Sequence, residues 1–547
     1  MKKTISIFAL ALLFTGAFAQ DKNLNPTVEV TNAYKREASG IEKPSQLRQL
    51  PDSVQRFDYD FDYSVRSTPY RGAYEFKPYK VQLRPALRPS EEGSLYARAG
   101  LGYGLHPEIS AVWTPLKSGR TRLNVYGGYN GFLGRFRDIR FDGSAFAPSG
   151  NFTPYYRDRV ASLGTDFRFD WKSGSFMVDA GYTATAGSDV WADVQTHGLK
   201  LNAVLTGKLR NVYSYGVSNR LVYSQNPLVK ELHNTTSLNF GMPLAGGALS
   251  VGLKADVLNF ANASLSGTAA LFELSPAYSF VSGRLSFRGG LRLGFMLRSD
   301  AALAPGGSGI IYPDVAVSYV VLDEKMTAFA TATGGDRFHS FEGTLSSNHF
   351  LGSFGFTPDV SVMRIKTTVG VKGTLWSRLQ YNVHGGYYRL NNALGYGYST
   401  AGAGYTPIVA YMCPLNSFFG SAELLWSSQH LKAHALVYYQ HTLKPSYQKE
   451  VQKRLFSPAP LMVDADASYV FAGRFTLGAD VQIRGDRASF YATLPGYTDL
   501  GLDASFKMNR HWNFWARLGN ILNQSIQRTP FHAEEGLYFT LGAELTF

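Results

Sequence analysis

The chain has 547 residues, of which 45% are hydrophobic, 14% aromatic and only 17% charged, and its formal net charge is +13. Beyond the N-terminus no run approaches the roughly 18 uncharged apolar residues of a membrane-spanning helix. The single cysteine, Cys413, excludes an intramolecular disulfide and a cysteine-based metal site. The positive charges are spread singly along the chain, so no nucleic-acid partner is predicted.

Residues 1–19 have the pattern of a secretory signal peptide. Lys2 and Lys3 supply the positive start, residues 5–14 are apolar, and Ala17 and Ala19 form a cleavage motif. We expect export and a mature chain that begins at Gln20. A single N-terminal membrane helix is the alternative, but the apolar stretch is short for one.

Residues 20–92 form a second region, rich in proline and charge, which predicts an irregular periplasmic arm. One segment of the arm alternates aromatic and acidic side chains and could form an extended strand. Its seven residues are Phe57, Asp58, Tyr59, Asp60, Phe61, Asp62 and Tyr63.

From residue 93 to residue 547 the sequence repeats runs of about ten residues in which apolar and polar side chains alternate. In residues 461–471, for example, Asp464 and Asp466 alternate with apolar residues. A period of two places the two sets on opposite faces of a strand. Runs of roughly 9–13 residues suit a tilted strand that crosses a bilayer, whereas soluble strands average about 5–6 residues.

Ten tight turns rich in Gly, Ser and Asn separate these runs, as hairpin turns do. They lie at residues 117–120, 172–175, 210–211, 245–247, 282–284, 323–325, 376–378, 427–429, 472–474 and 509–511. Twenty strands flank these turns, and runs at 95–103 and 537–547 bring the total to about 22, within a range of 18 to 24. We therefore predict an all-β fold, a transmembrane antiparallel β-barrel with short periplasmic turns.

An even strand count places both termini on the periplasmic side with the short turns. The longer connections would then face outward. They are predicted at residues 135–155, 336–361, 394–414, 445–460 and 524–536.

The C-terminal sequence carries a family resemblance. Residues 520–524 read Asn-Ile-Leu-Asn-Gln, a proline-containing loop follows, and an alternating strand after Gly536 ends on Phe547. This ending resembles that of TonB-dependent transporters, which implies uptake of a solute across the outer membrane. The terminal aromatic also resembles the signal read by the barrel-assembly machinery. Outer-membrane lipid and that machinery are therefore the expected partners.

The chain departs from this family at its N-terminus. Those transporters carry a plug of well over a hundred residues inside the barrel, and here only about 72 residues precede the first strand. Residues 27–30, Thr-Val-Glu-Val, are a weak match to a TonB box. The chain thus resembles a plugless relative, similar to the TonB-dependent-receptor-like barrels of the Bacteroidetes group.

The candidate site is a set of charged residues predicted on the inner face of the last strands. They would line a conduit or hold the arm, whose positive residues include Lys35, Arg36, Arg48 and Arg71, or they simply satisfy a water-filled lumen. The nine candidates are Asp464, Asp466, Asp480, Arg484, Asp499, Asp503, Lys507, Arg517 and Glu544.

No catalytic, cofactor or metal site is predicted, and the chain is not expected to be an enzyme. The eleven histidines are scattered without a metal-ligand spacing, and no phosphate-binding loop occurs. Two functions remain open. The first is solute passage or uptake, and the alternative is a structural or assembly subunit that docks a periplasmic or outer-membrane lipoprotein partner through the arm or the loops.

Overall fold

The computed structural model describes residues 94–547, except residues 104, 144–145, 154–155, 190–191, 211, 310, 349–350, 352–355, 399–407, 444–455 and 490–491. The predicted signal peptide and periplasmic arm lie outside the described residues. Within them, 22 strands form one antiparallel sheet, and the first strand pairs with the last, so the sheet closes on itself. The predicted all-β barrel of 22 strands is confirmed.

The barrel strands are numbered β1 to β22 in chain order. They are Leu95–Gly102, Glu108–Ser118, Thr121–Gly134, Tyr156–Trp171, Gly174–Asp189, Ala192–Leu209, Tyr213–Gln225, Val229–Leu244, Gly247–Asn262, Ser266–Ser282, Leu285–Arg298, Ile311–Leu322, Met326–His339, Asp359–Leu375, Leu379–Tyr398, Ile408–Ser427, Leu431–Leu443, Leu461–Phe471, Phe475–Arg484, Tyr497–Lys507, Trp512–Gly519 and Tyr538–Thr546.

The seam between β1 and β22 is a regular antiparallel ladder. Ala97 lies opposite Leu545 and Leu101 opposite Leu541. At the end of the ladder the Phe547 amide donates to the Leu95 carbonyl at 2.8 Å and its carbonyl accepts from the Leu95 amide at 2.9 Å. The C-terminal residue therefore completes the closure.

All ten predicted tight turns join consecutive strands at one end of the barrel. Among the turn residues that the structure describes, three pairs of successive residues have positive φ: Ala245 and Gly246, Trp376 and Ser377, and Ala472 and Gly473. This left-handed backbone matches the right-handed twist of the flanking strands, as in type I′ hairpins. Gly246 and Gly473 adopt it without a steric penalty.

The two faces of the wall differ in chemistry. The outer face carries exposed apolar side chains such as Leu502, which is 46% exposed, and Phe514 and Leu541. Their sequence neighbours on the opposite face include Asp503, next to Leu502, and Asn513, next to Phe514. An apolar exterior around a polar interior is the arrangement of a membrane-spanning barrel.

The strands differ from expectation mainly in length, which ranges from 8 to 20 residues. The prediction of a long connection at residues 394–414 was wrong for most of these residues. Strands β15 and β16 continue to Tyr398 and from Ile408, and these two residues pair. The pairing extends here because backbone hydrogen bonds can lengthen a hairpin without an apolar alternation in the sequence.

Several connections at the other end of the barrel fold back and pack together as a loop cap. It comprises the described residues of the segments 135–155, 299–310, 340–358, 485–496 and 520–537. Its elements include the hairpin Arg137–Phe141 with Phe146–Phe152, helix α1 at Phe341–Ser347, and the short strands Arg487–Ser489 and Ala492–Leu494, which pair.

The loop cap has its own hydrophobic core, shared with the wall. Phe146, Leu303 and Phe341 from three different loops belong to one buried cluster with Leu258 and Phe260 of β9. Such a cluster, built between loops and wall, fixes the cap at this end of the barrel. Among the described residues, no helix is long and apolar enough to cross a membrane.

Candidate functional site

The inner face of the last strands brings the predicted charged residues together in pairs. Asp464 on β18 accepts a hydrogen bond from Arg484 on β19 at 2.7 Å. Asp466 on β18 lies 3.2 Å from His434 on β17, whose other ring nitrogen lies 3.1 Å from Glu423 on β16. Neighbouring strands thus carry opposite charges within reach of each other.

A second group surrounds Arg517 on β21. Arg517 lies directly across from Asp503 on β20 and interacts electrostatically with Asp503 and Asp480. Glycines make room for these carboxylates, because a Cβ on Gly501 would lie 2.5 Å from an Asp480 oxygen and one on Gly478 would lie 2.4 Å from an Asp503 oxygen. The wall is therefore shaped to hold two acids around one arginine.

Glu544 takes part in a third group, at the barrel seam. Arg98 on β1 lies opposite Glu544 and contacts it at 3.3 Å, contacts Glu108 on β2 at 3.3 Å, and stacks over the Trp515 ring at 3.9 Å. Arg98 is only 7% exposed. Sequence reasoning missed it because two of its partners, Glu544 and Trp515, lie at the other end of the chain. The remaining candidate, Lys507, lies on the same inner face near the tight turns.

Asp499 connects the wall to the loop cap through Arg528, which sequence reasoning also missed. The Arg528 guanidinium lies 3.7 Å from Asp499, 2.6 Å from Glu534 in its own loop, and donates to the Tyr497 hydroxyl at 3.0 Å. Burial opposes the charge of Arg528, but Glu534, Tyr497 and Asp499 together outweigh it and raise the pKa of the guanidinium. Arg528 is therefore charged at neutral pH.

Arg487 lies beside this group in the cap. Both Arg487 and Arg528 lie over the Tyr497 ring, at 5.5 and 5.3 Å from its centroid. Burial lowers the pKa of Arg487 to about 10, which leaves it charged at neutral pH. Cation–π contacts with one tyrosine thus help to hold two loops against the top of β20.

Carboxylates on other strands anchor the rest of the cap by its backbone. Glu231 on β8 accepts from the amides of Phe341 at 2.6 Å and Glu342 at 3.2 Å, at the start of α1. Asp359 on β14 accepts from the Gly306 amide at 2.8 Å. Each contact supplies a buried acceptor for a loop amide that would otherwise lack one.

The described residues therefore form a polar inner wall and a cap anchored to it. No group of three or more His, Cys, Asp or Glu side chains in the described part of the chain is arranged to hold a metal ion. Charged groups arranged in this way solvate polar groups and create an electrostatic field in the space that the wall encloses.

The chain is similar to known proteins in structure, although neither family models nor curated sequences match it. The solved structure of the copper transporter OprC matches with a TM-score of 0.59 and 14% identity, over 84% of this chain and 82% of that one. The siderophore receptor PirA from Acinetobacter baumannii matches with a TM-score of 0.61 and 9% identity, over 84% and 81%.

A third neighbour is a variant of the ferric enterobactin receptor PfeA from Pseudomonas aeruginosa. Its TM-score is 0.59 at 12% identity, over 83% of this chain and 80% of that one. What is shared is the fold. The strand count and closure found here agree with these receptors, whereas the charged groups of the inner wall are described from this chain alone.

Substitution of Arg528 tests the link between wall and cap. We expect Arg528→Ala to destabilise the cap by roughly 2–3 kcal/mol, because Glu534 and Asp499 lose the cation that compensates their charge. Limited proteolysis of the refolded protein should then cleave residues 520–537 faster, while the barrel stays intact. Arg510→Ala, at an exposed tight-turn arginine, is the control and should not change the cleavage rate.

Proposed function

We propose that this chain is an outer-membrane barrel that passes or takes up a solute through its lumen, in the manner of a TonB-dependent transporter without the family's plug. The observation that carries the proposal is the closed 22-stranded wall, apolar outside and charged inside, with a loop cap at one end. The polar inner face of a barrel this wide can be lined by water, and a hydrated solute can enter such a space.

Barrel width supports a passage role. Eight strands leave an interior that side chains alone can fill, whereas barrels of 22 strands enclose a lumen that other protein must obstruct. In this chain the loop cap occupies one end and is fixed by Glu231, Asp359 and Arg528. Movement of the cap would admit a solute, and the charged inner face would solvate it.

We also propose how the chain is processed, inserted and oriented in the membrane. After cleavage before Gln20, both termini and the tight turns would face the periplasm, and the loop cap would face the outside. Outer-membrane lipid would surround the apolar face, and the barrel-assembly machinery would insert the chain by reading Phe547. The tyrosine-, glycine- and phenylalanine-rich sequence supports a Bacteroidetes-type barrel.

The structural neighbours support solute passage as well. They include a copper transporter and receptors for a siderophore and for ferric enterobactin. At identities of 9–14% their ligands are not transferred to this chain.

Planar-bilayer conductance tests the proposal. We compare the mature chain with a form that lacks residues 20–92. We expect both to insert and the shortened form to conduct severalfold more, because the loop cap is then the sole obstruction. If neither form conducts or binds any solute, passage is excluded. Co-purification of a stoichiometric lipoprotein in mild detergent would then favour the assembly-subunit alternative.

A further inference from the structure

One sector of the inner wall differs from the acidic groups described above. On strands β13 to β16 the inner face carries two lysines and a histidine set among aromatic rings, and we call this sector the lysine wall. It consists of Phe329, Lys366, Lys372, Gln380, Asn382, His384, Phe419 and Glu423.

The positive groups of the lysine wall lie over aromatic faces. The Lys366 ammonium is 5.0 Å from the centroid of Phe419, and the Lys372 ammonium is 5.6 Å from that of Phe329. His384 lies between these rings, with centroids 6.3 Å from Phe329 and 6.1 Å from Phe419. A ligand that presents a row of negative charges would match this surface.

Polar atoms of β15 in this sector also lack hydrogen bonds. Gln380 Oε1, Asn382 Oδ1 and His384 Nδ1 are buried without a hydrogen-bond partner. They occupy three consecutive inner-face positions of one strand. Buried polar atoms are costly when unpaired, so a small movement of these side chains toward a donor, such as a backbone amide of a docked chain, would be favourable.

The balance of charge fits an acidic occupant. In the inner-face ladder beside the lysines, from Thr327–Thr333 of β13 to Phe419–Leu425 of β16, all of it described, Glu423 is the one carboxylate, and it faces His434. Asp336 and Asp359 lie farther along β13 and β14, where they accept hydrogen bonds from the loop cap. The sector on β18 to β21 has five carboxylates, Asp464, Asp466, Asp480, Asp499 and Asp503, against three cations, Arg484, Lys507 and Arg517, so its charge favours an acidic occupant less.

We propose that residues 57–63 of this chain dock on the lysine wall. The segment carries Asp58, Asp60 and Asp62 alternating with four aromatic residues. In an extended conformation the three acids share one face and the aromatic rings the other, and Asp58 and Asp62 are about 13 Å apart. Lys366 and Lys372 are about 20 Å apart along β14, and their flexible stems cover the difference.

The length of the intervening chain permits this contact. The Ser94 carbonyl accepts from the Thr114 amide, and Leu95 bonds to Phe547, so the chain leaves the described wall at the tight-turn end. Lys372 lies at that same end, two residues before Thr374, whose amide bonds to the turn residue Glu324. Roughly 30 residues reach up to about 100 Å, against a barrel diameter of about 44 Å.

A zero-length carbodiimide tests this contact, because it joins a carboxylate to an amine only when the two touch. In the mature protein in lipid vesicles we expect mass spectrometry to find residues 57–63 joined to Lys366 or Lys372. The link should be lost in Lys366→Gln/Lys372→Gln and in Asp58→Asn/Asp60→Asn/Asp62→Asn, and retained in Lys507→Gln. The second variant leaves the barrel sequence intact, so its result does not depend on folding of an altered wall.

An internal control shows whether the reagent enters the lumen. Asp179 on β5 and Lys200 on β6 lie 3.9 Å apart on the inner face, so a cross-link between them shows that it does. The proposal is wrong if that pair is linked while residues 57–63 are not. The proposal is also wrong if residues 57–63 are linked to Lys507 or to a second copy of the chain. The cross-link is independent of conductance, so this proposal and solute passage fail by different measurements.

Discussion

Phe341→Ala is expected to open the loop cap while leaving the barrel folded. Phe341 begins helix α1, is fully buried, and packs edge-on against Phe356 with ring centroids 5.3 Å apart. Truncating a buried phenylalanine costs about 3–5 kcal/mol. Because the cavity lies within the cap, we expect the open population to rise by about 100-fold or more.

Single-channel recording of the form lacking residues 20–92 checks this result. The Phe341→Ala protein should show long open intervals and a larger mean conductance, and residues 340–358 should become sensitive to protease. Ser346→Ala, at an exposed position of the same helix, is the control and should behave as the unaltered protein. Unchanged conductance in Phe341→Ala, with faster cleavage of the loop, would show that the cap does not obstruct the route.

Loss of the last strand is expected to abolish the barrel. Strand β22 pairs with both β21 and β1, so deletion of residues 538–547 leaves two unpaired edges in the sheet. Unpaired strand edges are not stable in the hydrocarbon region of a membrane. The deleted chain should show no heat-modifiable band in gel electrophoresis after refolding in detergent.

Phe547→Ala distinguishes two roles of Phe547, closure of the barrel through its backbone and recognition of its side chain during assembly. The backbone bonds of Phe547 to Leu95 do not need its side chain, and the ring is 68% exposed. We therefore expect normal refolding in detergent but a severalfold lower yield of folded barrel in cells, since the assembly machinery would read the ring. Phe539→Ala, another exposed aromatic of β22, should leave both unchanged. An equal loss in detergent would instead assign Phe547 a purely structural role.

The barrel could be predicted because the alternation of apolar and polar residues within each strand shows which face is inner and which is outer. The tight turns could be located from their Gly, Ser and Asn residues. Strand ends were harder to predict. Around residues 394–414 the alternation fades into a glycine-rich run, yet the Tyr398 and Ile408 backbones still pair. Hydrogen bonds outside the apolar band leave little trace in hydrophobicity.

The same reasoning explains which part of the site was found. The contact between Asp464 and Arg484 follows from cross-strand neighbours on one face, so the charged inner wall could be predicted. Glu231 holds the amide of Phe341, 110 residues away in sequence, and Arg528 reaches the wall only after its loop folds back. Such long-range contacts leave no local pattern in the sequence, so the residues that anchor the cap could be identified only from the structure.

In the proposed function, one face of this wall lines an aqueous route and the other faces lipid. Cysteine substitution of two adjacent residues on β20, Asp503 and Leu502, tests it in a Cys413→Ser background. With the chain lacking residues 20–92 in a bilayer, a water-soluble cationic thiol reagent should alter the conductance of Asp503→Cys and leave that of Leu502→Cys unchanged. An equal response at both positions, or a response at Leu502→Cys alone, would contradict the account.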